Sequence, residues 1–266
     1  MIIKKITKKN NKIKNSFQGR DCYIFGNGLS LKYFDLKNFS DKPSITCGWT
    51  FLHKDFNYLN VIADFEIHPG IFWPYWKNEY SKKYEYNIPN YISKKKKRFE
   101  KSKLFFTSVV NLPGLLSYKN IHYIYHFGKK KFNSNFIDPC KEFSLMENSL
   151  YSMIGVAHFM GFKDVYLVGM DYLLDDPLTG HFYENHKLKT GVNEEALLKN
   201  KLVFDFFSKS MNFKIIKSNQ TSNSFLDTIN YSDFFNKKEK NYKNYDIVEL
   251  DDLKLLDKAK IDYKIF

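Results

Sequence analysis

Four short stretches of this 266-residue chain hold residue types that handle phosphates, hydroxyls and divalent ions. The apolar run at 22–25 stops at Gly26-Asn27-Gly28, with Ser30 just beyond. Glycines there let backbone N–H groups approach an anion, a helix start behind them adds free donors, and the Asn27 amide can orient a phosphate or a sugar hydroxyl. A branched side chain at Gly28 is then expected to block a nucleotide without unfolding the chain. A second apolar run ends in Gly169-Met170-Asp171-Tyr172, a third at Cys47-Gly48-Trp49. In Asp64-Phe65-Glu66 the two carboxylates lie on one side of any extended segment and could hold Mg²⁺, which prefers hard oxygen ligands. The polar stretch "GHFYENH" at 180–186 holds His181, Tyr183 and His186. An imidazole, with an ordinary pKa of ~6.5, suits removal of a proton from a hydroxyl.

Each stretch also has an ordinary structural explanation. Gly-Asn-Gly can be a tight turn, the acidic pair can face solvent, and loop histidines can simply be solvated. The motif is not a phosphate-binding loop of the Gly-Lys-Ser/Thr type. Nor is it a full dinucleotide fingerprint, because the third glycine of G-x-G-x-x-G would fall at Leu31. His158 reads as a packing histidine, and His53, His122 and His126 as surface or strand residues.

The elements that must position these stretches follow from periodicity. Residues 21–25, 44–47, 58–63, 103–110, 121–125, 164–168 and 214–216 read as strands. Residues 29–39 read as a helix or turn, and 91–101 have helical spacing with a basic face. Residues 148–160 repeat apolar side chains at helical intervals up to a capping Gly161, and 193–211 form another helix. Strands alternating with helices imply parallel pairing through right-handed crossovers. The expected fold is α/β: a doubly wound, Rossmann-like, mostly parallel sheet. In such sheets ligands bind beyond the carboxyl ends of strands where strand order reverses. A polar lid at 175–192 interrupts the alternation. We expect a basic, poorly ordered arm at 1–19, a catalytic domain at 20–232 and a basic, helical or irregular tail at 233–266.

Composition bounds the rest. Hydrophobic residues make up 43% of the chain, enough for a core, and aromatics 18%, with 26 Phe and 19 Tyr. We read the aromatic and lysine excess as largely compositional bias. The formal net charge is +13, with clusters at 4–14, 94–98 and 129–131. Such a surface attracts polyanions or anionic lipid, but no zinc-finger spacing, RNP-type motif or basic region with heptads is present, so no specific nucleic-acid partner is expected. Cys22, Cys47 and Cys140 are too widely spaced for a disulfide framework or a zinc site. The first residues lack the apolar core of a secretory signal, and no stretch reaches ~18 apolar residues. The expectation is a cytoplasmic protein, at most peripheral at the inner face of a membrane. Homo-oligomerisation is left open.

"FGNGLSL" resembles the opening "GNGPSL" of the bacterial CMP-sialic-acid-dependent sialyltransferases, glycosyltransferase family 42. "NSLYSMIGVAHFMGFKDVYLVGMDY" resembles that family's Thr-Ser-Gly segment, helix, Gly-Tyr-Lys turn and strand ending in Gly-Ile-Asp-Phe. Asn148, Ser149 and Leu150 stand where the family has Thr, Ser and Gly. The two anchors span roughly residues 21–218. They also resemble the Maf flagellin glycosyltransferases and the related domain of archaeal 6-hydroxymethylpterin pyrophosphokinase.

The sialyltransferase resemblance implies a GT-A-like variant of the fold and metal-independent transfer from a CMP-activated sugar acid to a glycan acceptor. It puts the nucleotide on the Gly26–Gly28 loop with Ser30, and on Asn148 and Ser149. Gly48, Asp64, His68, Gly169 and Asp171 complete that set. The family's His-Tyr-Ile-Gly-His stretch is matched by "GHFYENH" with one residue inserted, so His186 falls on the general base and His181 on the other histidine. Tyr172 and Tyr183 could hydrogen-bond the departing phosphate, although the family's tyrosine would fall at Leu173. His68 stands near a position where the family has asparagine. Two other readings remain: a pyrophosphokinase with Mg²⁺ on Asp64 and Glu66, and a non-catalytic nucleotide- or nucleic-acid-binding protein.

Overall fold

The computed structural model describes residues 2–68, 72, 103–125, 132–175, 180–184 and 194–259. Among them, eight strands form one sheet: β1 Cys22–Phe25, β2 Pro43–Cys47, β3 Asn60–Glu66, β4 Leu104–Ser108, β5 Ile121–Ile124, β6 Asp164–Val168, β7 Asn212–Lys217 and β8 Asp227–Asn230. The order is β5-β4-β3-β2-β1-β6-β7-β8, and every pairing is parallel. This is the Rossmann-like α/β sheet expected. Strand order reverses between β1 and β6, so the Gly26 and Gly169 turns leave adjacent strand ends.

Burial of both sheet faces explains the unbroken apolar strands. All four residues of β1 are fully buried. Cys22 and Ile24 join a core with α2 (Ser149–Met160) and α3 (Glu194–Phe207), which supply Met153, Ile154, Ala157, Val203 and Phe204. Tyr23 and Phe25 join the opposite core. That face has little long helix. Short 3₁₀ turns cover it, together with α4 (Tyr231–Phe235), α5 (Asn244–Ile247) and α6 (Leu250–Ala259). Aromatic rings fill the space instead: Phe34 stacks on Tyr231 at 4.8 Å, and Phe39 meets Phe235 edge-on at 4.7 Å. The aromatic excess therefore has a packing role here, not only a compositional origin.

Several expectations change. Asp64 lies inside β3 and Glu66 ends it, and both are buried rather than solvent-facing. Residues 29–39, read as a helix or turn, are of the second kind: two 3₁₀ turns, Leu29–Tyr33 and Leu36–Phe39. β8 was not foreseen, because Asp227-Thr-Ile-Asn230 has one apolar residue and is a half-buried edge. Part of the tail is ordered into the aromatic core through Ile247, Val248 and Leu253. His53 is buried in a turn, with its Nδ1 accepting the Asp55 N–H at 3.1 Å, and burial lowers its pKa to about 4. The helical spacing at 91–101, the lysine clusters at 94–98 and 129–131, and His126 lie outside the described residues.

The amino-terminal segment is not a loose arm. Residues Ile2–Thr7 form α1 and Lys8–Ile13 a 3₁₀ turn, and they pack beside β5, the sheet edge. An uncovered edge strand offers free backbone groups to other chains. Asn10 explains the order. Fully buried, its Nδ2 donates to the carbonyls of Tyr123 (2.9 Å) and Pro139 (2.8 Å), and its Oδ1 lies 2.9 Å from His122 Nδ1. Thr7 Oγ1 donates to the Cys140 carbonyl at 2.7 Å. The motif is invisible in sequence because the partners are more than 100 residues away.

Asn10→Ala should lower unfolding free energy by about 2–4 kcal/mol, since it strands buried polar groups. Lys5→Ala, at an exposed position, should change it by less than ~0.5 kcal/mol. Urea unfolding of the two variants checks the claim, and equal effects would return the segment to an arm.

Candidate active site

The first two glycine turns meet backbone to backbone. Gly26 N–H donates to the Val168 carbonyl and Gly28 N–H to the Gly169 carbonyl, both at 2.8 Å. Ser30 N–H donates to Asp171 Oδ2 at 2.7 Å. A Cβ built on Gly26 would sit 2.4 Å from the Gly169 oxygen, and one on Gly28 would sit 2.6 Å from Asp171 Oδ2. Gly169 takes φ +66°, the left-handed region. These glycines are thus needed for close approach of two turns. The donors expected to meet an anion, at Gly26, Gly28 and Ser30, are engaged within the chain, and only a short 3₁₀ turn follows them. A side chain at Gly28 would strain the fold itself, contrary to the expectation of a clean block on binding.

Asp171 is 4% exposed. Burial raises its pKa to about 6, partly offset by hydrogen bonds from Ser30 and Leu29 and by the nearby His181. Asn27 accepts from Thr50 Oγ1 at 3.0 Å through its side-chain oxygen, and its carbonyl accepts the Phe182 N–H at 3.1 Å. Gly48 N–H donates to the Phe65 carbonyl at 3.2 Å, and a Cβ built on it would sit 2.9 Å from the Asn27 amide nitrogen.

Segment 180–184 crosses this junction. His181 pairs with Gly28 in an antiparallel bridge. Its backbone N–H donates to Glu184 Oε2 at 2.9 Å, and its ring Nδ1 lies 3.0 Å from Glu184 Oε1, at ion-pair distance. Tyr183 is buried and stacks on the His181 ring, centroids 5.1 Å apart and planes 5° off parallel. Lys32 Nζ donates to the Glu184 carbonyl at 3.2 Å. Glu184 had not been singled out in the sequence. Its signal was the three-residue spacing from His181. His186 and most of the lid lie outside the described residues.

Tyr172 is 53% exposed, yet its hydroxyl is enclosed enough for burial to raise its pKa, with Cys47 and Tyr151 contributing. Tyr151 belongs to the first turn of α2, whose N-cap is Asn148. The Asn148 side-chain oxygen accepts the Tyr151 N–H at 2.9 Å, and Ser149 opens the helix. The strand-end residues, the α2 start and the 180–184 segment therefore border one region.

Asp64 and Glu66 stand apart from it in their contacts. Asp64 Oδ1 accepts from Thr46 Oγ1 at 2.8 Å. Glu66 Oε1 lies 2.5 Å from His68 Nδ1, and Asn111 ties the His68 carbonyl (2.9 Å) to Thr107 Oγ1 (2.8 Å). Among the described residues, no group of three or more His, Cys, Asp or Glu converges as a metal site. His158 packs on Phe207 at 5.2 Å, as a core histidine does.

No protein-family model matches the sequence, and no curated protein matches it. Among solved structures, a Maf glycosyltransferase from Magnetospirillum magneticum AMB-1 is similar over 97% of this chain and 41% of that one, with TM-score 0.51 and 12% identity. This chain thus spans less than half of that protein. The sialyltransferase CstII from Campylobacter jejuni, in complex with cytidine-5'-monophosphate, is similar over 91% of this chain and 99% of that one, with TM-score 0.44 and 18% identity. Cst-I, a monofunctional alpha-2,3-sialyltransferase of the same organism, gives 90% and 95%, TM-score 0.46 and 17% identity. The likeness to the Maf protein establishes a shared fold. No described helix is long and apolar enough to cross a membrane.

Gly28→Ala should destabilise the chain by about 1–3 kcal/mol through overpacking against Asp171. Asp171 gives a pH signature. Its folded pKa lies above its ordinary value of 3.8, so the folded state holds the extra proton and this group's contribution falls as pH rises from ~4 to ~6, by about 3 kcal/mol. Asp171→Asn should remove that step from stability measured by urea between pH 4.5 and 7.5. Parallel curves for wild type and variant would mean that Asp171 titrates normally.

Proposed function

We propose that the chain is a glycosyltransferase that moves a sugar of the nonulosonic, sialic-acid type from a CMP-activated donor to a hydroxyl of a glycan acceptor. The observation that carries this reading is His181, clamped by Glu184 and bridged to Gly28 at the strand-order reversal. The motif resemblance and the fold shared with a Maf glycosyltransferase support it.

In this reading the donor phosphate lies over the start of α2, where Ser149 and the free N–H groups of the first turn favour an anion. The Asn27 amide meets nucleotide or sugar hydroxyls, over a floor that Asp171 holds from beneath. His181 is the general base in our assignment, ahead of His186. The imidazole takes the proton of the acceptor hydroxyl, whose oxygen bonds to the anomeric carbon as the bond from that carbon to the phosphate oxygen breaks. CMP leaves with the electron pair. Glu184 and the stacked Tyr183 hold the ring, and the hydroxyl of Tyr172 donates to the departing phosphate. Charge on the leaving group is met by dipoles and hydroxyls, so transfer is proposed to be metal-independent.

Thermal shift with CMP, CDP, UDP, GDP and ATP, each with Mg²⁺ or EDTA, tests the donor class. CMP should stabilise the protein equally under both conditions, by ~2.7 kcal/mol at a hundredfold excess over Kd. Stabilisation by ATP that requires Mg²⁺ would favour a pyrophosphokinase using Asp64 and Glu66. With a CMP-sugar donor, His181→Ala should lose roughly 10²–10⁴-fold in turnover with CMP affinity retained. Glu184→Gln should lower kcat more than donor KM, with partial recovery in Glu184→Asp. A larger loss in His186→Ala would exchange the roles of the two histidines and leave the transferase reading standing.

A further inference from the structure

A hollow of about 1260 Å³ lies away from the strand-end region, between α1 with its following 3₁₀ turn, the end of β5, the 138–142 loop and α2. It is larger than the ~300–1,000 Å³ of ordinary small-molecule sites. Its walls are mainly carbon, with Ile3, Tyr125 and Phe159 among the lining residues. Lys4, Lys8, Lys14 and Lys141 line it too, against two acids, Asp138 and Glu142. Asp138 is matched by Lys141 at 3.6 Å, so three more lysines face one more acid.

The walls are held in place. Thr7 ties α1 to the Cys140 carbonyl, and Asn10 ties the 3₁₀ turn to the Pro139 and Tyr123 carbonyls. Asp138 Oδ1 accepts the Cys140 N–H at 2.8 Å, closing the 138–142 turn. Ile3 is 37% exposed at the start of this lysine-rich helix. It places an apolar side chain on the hollow's wall beside the lysines.

We propose that this hollow docks an anionic phospholipid of a bilayer. One acyl chain enters against Ile3, Tyr125 and Phe159, and the headgroup phosphate meets Lys4, Lys8 and Lys14. An apolar wall with a cationic rim matches the two ends of such a molecule. A nucleic acid or an acidic glycan would match the rim alone. The proposal does not depend on the transferase reading, since its measurement is binding to membrane.

The test is co-sedimentation of the full chain with vesicles of phosphatidylcholine, alone or doped with phosphatidylglycerol. The chain should pellet with the doped vesicles and remain free with phosphatidylcholine alone. Each lysine near an anionic surface contributes about fivefold, so Lys4→Glu with Lys8→Glu should lower partition by at least about 25-fold. Ile3→Asp should lower it by about tenfold or more while affinity for heparin stays unchanged. Monomeric fluorescent lysophosphatidylglycerol should shift to the blue on wild type and not on Ile3→Asp. Thermal melting confirms that each variant is folded, and Ile3→Gln replaces Ile3→Asp if the latter melts early. Three results would each overturn the proposal. They are no vesicle binding by wild type, equal binding to uncharged vesicles, and an Ile3→Asp variant that binds doped vesicles as wild type does. The last, combined with parallel loss of heparin and vesicle binding on lysine reversal, would make the rim a general polyanion surface.

Discussion

The carboxyl edge of the sheet depends on two backbone turns touching with no side chain between them. β1 and β6 are hydrogen-bonded neighbours, and their turns stay in contact past the last paired residues, Phe25 and Val168. Only glycine at 26 and 28 permits this. The contact brings the Asp171 carboxylate under Ser30 and out of water. It also fixes the strip of backbone, Asn27 and Gly28, on which segment 180–184 lies down. The glycines act on the site indirectly, by setting a floor on which side chains from three separate parts of the chain can stand.

The opposite edge and face show a different solution to burial. The Tyr23 and Phe25 face of the sheet is covered by 3₁₀ turns and short helices, which present fewer side chains per turn than a long helix. Rings make up the area: Phe34, Phe39, Tyr231 and Phe235 are large and lose little rotamer freedom for the surface they bury. At the β5 edge, a lysine-rich segment is made orderly by one buried asparagine. Most of its lysines stay outside, Lys9 reaches in to the Lys119 and Ile121 carbonyls, and its polar centre satisfies two carbonyls and a histidine, so a hydrophilic sequence can close a sheet edge.

Much of the fold was legible because apolar runs bounded by Gly, Asp or Asn mark buried parallel strands. β6 was read to the residue, and β1 and β2 to within one. β3 was cut short at Ala63 because Asp64 and Glu66 look like punctuation, yet parallel strands tolerate buried carboxylates when neighbours such as Thr46 and His68 meet them. β8 was missed because an edge strand with one exposed face carries little hydrophobic signal. At the site, sequence marked the turns, the α2 start and His181. It could not show that the turn N–H groups are spent on each other, or that Glu184 holds His181, because both facts depend on which strands lie side by side. Asn10 was unreadable for the same reason, its partners being remote in sequence.

Two carboxyl groups flank the His181 imidazole in unlike surroundings, and this sets what each can do. Asp171 is buried, and desolvation outweighs its hydrogen bonds, so its pKa rises to about 6. Glu184 lies three residues along the same segment, accepts the His181 backbone N–H and stands at ion-pair distance from its ring. A carboxylate held by the backbone beside the ring, with Tyr183 stacked on that ring, restricts its rotation. Orientation of the imidazole is therefore a property of the 180–184 turn itself and travels with it. Asp171 belongs to the floor and cannot follow. The bridge to Gly28 and the Phe182 N–H bond to Asn27 seat that turn on the floor.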